Sequence, residues 1–111
     1  MDRVIIINSE SFGSGDEVLG KKLMGAFLRK VWASPNKPET IILYNSAVKI
    51  AATGSEVLDA VNGLFEAGVD ILACGTCVSH FKLEKSLKAA RVSNMDEIAD
   101  IMLTAKTIVT V

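Results

Sequence analysis

The sequence predicts an α/β fold with a parallel sheet and helices on both faces. Three observations carry this. Short apolar runs without polar alternation recur along the chain, beginning with Val4 to Ile7, as expected of strands buried on both sides. Longer segments between them place apolar residues at helical spacing. Polar, Gly- or Pro-bearing loops separate the two kinds of segment. Strands that alternate with helices in this way form βαβ units.

The elements follow in order. After the first run, "NSESFGSGD" is a polar loop. A helix is expected to start near Asp16, with Ser14 and Glu17 at the spacing of a capping box. Leu19, Leu23, Met24, Phe27, Leu28 and Val31 form its apolar face, and Pro35 and Pro38 end it. Thr40 to Tyr44 is the second strand, and "NSAVKIAATGS" is a connection with room for a short helical turn. Ser55 is placed to cap a helix carrying Val57, Leu58, Val61, Leu64 and Phe65, closed by Gly68. Val69 to Ala73 is the third strand. Leu83 to Ala89 reads as helix, Val92 as part of a short fourth strand, and Asn94 or Ser93 as the cap of a last helix through Ile98 and Met102. Thr107 to Val111 is the final strand.

Composition narrows the function. A chain of 111 residues, half of them apolar, is expected to fold as one domain over residues 1–111. Twelve basic and thirteen acidic residues give a formal charge of -1, so no general attraction to nucleic acid or an anionic membrane is expected. The apolar runs are too short to span a bilayer. "MDRVIIIN" does not read as a signal peptide, so a reducing cytoplasm is the expected setting and a structural disulfide is not.

In parallel sheets, ligands and chemistry gather outside the carboxyl ends of the strands. Those ends carry Asn8 and Ser9, then Asn45 and Ser46, then "CGTC", Cys74 to Cys77, which holds both cysteines of the chain. Asparagine also ends strands simply because it tolerates turns. The loop "SFGSGD" lacks both nucleotide-binding glycine patterns, and Asp16 and Glu17 stand where a phosphate would need donors, so no cofactor is implied.

Four readings of CGTC compete. Cys74, Cys77 and His80 have zinc-like spacing, but a closed site needs four ligands and no other Cys or His exists here, so no metal site is assigned. A thioredoxin-like domain sets a cis-proline against its cysteines, whereas both prolines precede the second strand. Inert buried thiols are a third possibility. The fourth is sulfur chemistry. At a strand end leading into a turn or helix, N–H groups favour thiolate, the nucleophile of sulfur transfer.

"SFGSGDEVLGKKLMGAFL", "IILYNSAVKIAATGSEVLDAVNGLFEAGVDILACGTCVSHFKL" and "VSNMDEIADIM" together resemble the C-terminal domain of sulfurtransferase-like selenium-metabolism proteins of the YedF type, in the DsrE/DsrF-like superfamily. The resemblance implies a DsrE-like three-layer α/β/α sandwich on a mostly parallel five-stranded sheet. It implies trimers or hexamers, and a relay of persulfide sulfur, with selenium suggested by the family label. The acceptor cysteine of the superfamily follows a central strand, where both Cys74 and Cys77 lie. Two-domain members begin with a TusA-like carrier domain that this sequence does not show, so a separate donor or carrier protein is the expected partner. On this reading Cys77 or Cys74 takes the sulfur and the other thiol releases it. Asn45, Ser46, Thr76 and the turn N–H groups around Gly75 hold the added charge, with Asn8 and Ser9 on the same rim and His80 as proton donor. The alternative is a non-catalytic oligomeric binding module with incidental thiols.

Overall fold

The computed structural model describes residues 3–111. Five strands form one all-parallel sheet: β1 (Arg3–Ile7), β2 (Thr40–Leu43), β3 (Asp70–Cys74), β4 (Arg91–Ser93) and β5 (Thr107–Thr110), in the order β4-β3-β2-β1-β5. Four α-helices connect them: α1 (Glu17–Ala33), α2 (Leu58–Glu66), α3 (Gly75–His80) and α4 (Met95–Thr104). A 3-10 helix spans Asn45–Ala51.

The layers follow from topology. The chain steps in one direction from β1 to β4, then reverses to place β5 beside β1. Right-handed crossovers therefore put α1 and α2 on one face and α4 on the other. Alternation along the strands serves both layers. Ile7, Ile41, Leu43, Ile71 and Ala73 pack with Met24, Leu28, Val61 and Leu64. Val4, Ile6, Ile42, Leu72 and Cys74 pack with Ile98 and Ile101 of α4.

Several expectations are corrected. The cap of α1 is Asp16, whose Oδ1 accepts from the Leu19 N–H at 2.9 Å, so Glu17 is the first helical residue and the Ser14 capping box is not formed. Of the predicted apolar face, Met24 and Leu28 are buried, whereas Leu19 and Leu23 are exposed. Ser55 Oγ accepts from the Val57 N–H, but α2 starts at Leu58 without a side-chain cap. Gly68 does close α2, with φ of 98° and its N–H on the Phe65 carbonyl. Residues 83–89 form no α-helix. Their backbone turns once at Leu83, and then Lys88 and Ala89 donate to the Ala51 carbonyl, while Thr53 donates to that of Ser86. Pairing with residues 51–53 replaces helical bonding. Asn94, not Ser93, caps α4 by accepting from the Glu97 N–H. Among the described residues no helix is long and apolar enough to cross a membrane.

Candidate functional site

The polar ends of β1, β2 and β3 meet on one rim. β3 runs without a linker into α3, so Cys74 ends the strand and Cys77 lies in the first turn of the helix. Cys74 is 3% exposed, in the layer beneath α4. Cys77 is half-buried and packs against both core layers. Both thiols are free.

The contact that reaches Cys77 comes from the next strand. After β2 the chain turns through Asn45, with φ of 54°, into the 3-10 helix, and the Asn45 N–H donates to Cys77 Sγ at 3.1 Å. Asparagine tolerates this left-handed conformation better than most residues. Ser46 joins the first strand to the same rim, its Oγ accepting from the Glu10 N–H at 3.1 Å. Ser9 Oγ folds back to accept from the Ser11 N–H.

Burial pushes the Cys77 thiol above its ordinary range. The Asn45 N–H pulls the other way, and the adjacent Cys74 adds to the rise. The expected balance toward thiolate is therefore reversed: dehydration at the helix–sheet junction outweighs the Asn45 N–H bond. At neutral pH Cys77 is held mainly as a thiol.

The other predicted residues divide. Asn45, Gly75 and Thr76 flank the thiols in chain or by hydrogen bond, Thr76 is exposed, and Ser46 bonds the Glu10 N–H rather than a thiol. Asn8 is exposed. His80, at the far end of α3, is exposed and packs edge-on against the Phe81 ring, 4.9 Å between centroids. No hydrogen bond joins it to Cys77 among the described residues. Nor do three or more His, Cys, Asp or Glu side chains gather there as metal ligands.

The sequence left one side of the site unread. Ser93 stands opposite Cys74 in the β3–β4 register, is buried, and donates through Oγ to Glu97. Arg91 holds Glu97 at 2.8 Å and Asp70 at 2.8 Å, through paired contacts to each carboxylate. Arg91 and Ser93 together hold the Glu97 carboxyl down to about 2. The only trace of this arrangement in the sequence is the spacing of Arg91, Ser93 and Glu97, which carries no chemical signature by itself.

The fold is shared with known structures. The YchN protein of E. coli matches over 100% of both chains, at 17% identity and a TM-score of 0.69. The fold is DsrE-like. A conserved protein of unknown function from Bacteroides thetaiotaomicron matches at 14% identity and a TM-score of 0.66, over 98% of this chain and 94% of that one. One of unknown function from Methanobacterium thermoautotrophicum matches at 18% and 0.65, over 96% and 97%. Neither a protein-family model nor a curated protein matches the chain. Identities of this size carry the DsrE-like fold and nothing finer.

Proposed function

We propose that this protein is a cytoplasmic sulfur-relay protein that carries sulfane sulfur as a persulfide on Cys77. The observation that carries the reading is the Cys77 sulfur itself: half-buried at the carboxyl rim of a DsrE-like sheet, beside Cys74, and accepting an N–H from Asn45 at 3.1 Å. That donor serves a charged sulfur better than a neutral one.

Loading begins with attack by the Cys77 thiolate on the outer sulfur of a donor persulfide. The donor's S–S bond breaks, the Cys77 persulfide forms, and the donor leaves as a thiolate. Delivery repeats the step with an acceptor thiolate, and Cys77 leaves. A second route uses Cys74. Its thiolate attacks Cys77 Sγ, hydrosulfide leaves, and a Cys74–Cys77 disulfide remains for an external thiol to reduce. A thiol with a raised pKa is seldom ionised but more nucleophilic when it is, which suits a carrier that reacts on a docked partner and rests between encounters. Selenium takes the same steps, in keeping with the YedF-type resemblance. The partner is a TusA-like donor or carrier, and the protein works as a homotrimer or hexamer.

Mass spectrometry after incubation with a persulfide donor tests the reading. One added sulfur on Cys77, absent in Cys77→Ser, supports it. No added sulfur with any donor overturns it and leaves a binding module with incidental thiols. Light scattering tests the assembly: a clean monomer at micromolar concentration removes the oligomer.

A further inference from the structure

A cavity of about 360 Å³ opens between α1, the 3-10 helix and the loop before α2. The thiols do not line it. Its apolar lining comes from Met24, Ile50, Val57 and Leu83, and Thr53, Gly54 and Ser55 supply a polar hoop. Four charged residues complete the lining, two of each sign: Glu10 and Glu56, Lys21 and Lys49.

The charges are unequally satisfied. Lys21 and Glu10 lie 3.9 Å apart and answer one another. Lys49 has no carboxylate partner among the described residues, and its ammonium sits 4.4 Å above the Phe81 ring. The exposed Glu56 carboxylate likewise has no cation partner among the described residues. The nearby Arg29 is engaged by Asp59 at 3.3 Å and reaches only the Glu56 carbonyl, at 3.5 Å. One cation, on Phe81, and one solvent-exposed anion thus remain without an ion-pair partner among the described residues, around a cavity of small-molecule size with a partly apolar lining. Equal numbers of both signs give no net pull on a simple anion or cation. The complementary ligand carries both charges close together on an apolar group.

We propose that this cavity binds a free α-amino acid with an apolar side chain, its carboxylate on Lys49, its ammonium on Glu56 and its side chain over Met24 and Val57. This site goes beyond the sulfur chemistry and stands or falls independently of it. It adjoins the thiol rim in the chain. Lys49 shares the 3-10 helix with Asn45, and Phe81, under Lys49, directly follows the helix that carries Cys77.

The test is a two-dimensional ¹⁵N–¹H NMR titration of the whole protein. The probes are L-leucine, its methyl ester, which lacks the carboxylate charge, and N-acetyl-leucine, which lacks the ammonium. L-leucine is expected to give saturable shifts at the amides of residues 49 and 53–57, with both blocked forms at least about tenfold weaker. Lys49→Met should weaken leucine by about tenfold and erase its advantage over the ester; Glu56→Gln should erase its advantage over the N-acetyl form. Spectra of both variants report whether the fold is kept, and the blocked ligands test the idea on the wild-type protein even where a variant fails to fold. No saturable shift with leucine, methionine or phenylalanine at about 20 mM overturns the proposal. So does equal binding of free and blocked leucine.

Discussion

The backbone N–H of Asn45 lies 3.1 Å from the sulfur of Cys77, across a sequence separation of 32 residues. This bond ties the end of β2 to the first turn of α3 and brings a fixed donor to the only thiol with partial access to solvent. It forms where Asn45, two residues beyond the strand, takes a φ of 54°. The environment of the Cys77 sulfur and the backbone conformation are therefore coupled at one residue, and the two can be separated by mutation.

The thiols should differ in rate and in pH dependence. Cys74 is 3% exposed, so iodoacetamide should modify Cys77 first, by about tenfold or more. Burial raises the Cys77 thiol, and the thiolate is the reactive form, so its rate should keep climbing with pH beyond the point where free cysteine levels off. Cys74→Ser removes one cause of the rise and should move the profile to lower pH. Alkylation rates from pH 6 to about 11 decide this. A plateau below that of free cysteine contradicts it, and a Cys77→Ser variant that keeps the wild-type rate transfers the reactive role to Cys74.

Substitutions at Asn45 separate conformation from side chain. Glycine accepts positive φ freely, so Asn45→Gly should keep the N–H on Cys77 and change stability by less than about 1 kcal/mol. Asn45→Val places a β-branched residue in the left-handed region and should cost about 1–2 kcal/mol. It should also shift Cys77 alkylation to still higher pH as the donor moves away. Urea denaturation with alkylation kinetics reads both effects. Equal behaviour of the two variants would mean that the conformation of Asn45 does not hold this contact.

Much of the sheet and its rim was legible because strands buried on both faces leave unbroken apolar runs. Ile41 to Leu43 and Ile71 to Ala73 are such runs, and Asn45 and Cys77 follow at their ends. The failures lie where distant contacts decide. Leu83 to Ala89 has helical spacing, yet its amides bond to Ala51, a partner no local pattern reveals. The cap of α1 moved from Ser14 to Asp16 because two acceptors stand within one turn and only the bond to Leu19 forms. The sense of the Cys77 shift is not legible in the sequence, because spacing shows N–H groups near a strand end but not the burial that outweighs them. Nor does the sequence show Ser93 as a neighbour of Cys74, because that proximity is set by the register of a three-residue strand.

Glu97 should shape the acid limb of stability. Its carboxyl is held down to about 2 by Arg91 and Ser93, so the folded state favours the charged form. A depressed folded value gives stability that is complete above the unfolded value and is lost as pH falls through the folded one. The window therefore runs from about 4.5 down to about 2. Thermal melts of the wild type should lose stability across that range, and Glu97→Gln should flatten that part of the curve. An unchanged acid limb in the variant removes Glu97 from the account.

Gly75 tests how tightly the thiol turn is built. Alanine is the better helix former by up to about 1 kcal/mol, and nothing in the backbone angle at this position forbids a side chain. Space does. A Cβ at Gly75 would stand 2.9 Å from the Ser93 carbonyl oxygen and 3.2 Å from Val92 Cγ1. The first neighbour is backbone and cannot rotate away, so β4 must shift to admit it. Gly75→Ala should then cost about 1–3 kcal/mol despite the gain in helix propensity. Because Ser93 faces Cys74 in the register, the shift should also open a path to that buried sulfur. In a Cys77→Ser background, which isolates Cys74, Gly75→Ala should raise alkylation of Cys74 while lowering the urea midpoint. A variant more stable than its parent, with Cys74 still protected, would show that β4 yields without cost and that close packing of Gly75 on Ser93 does not shield the thiol.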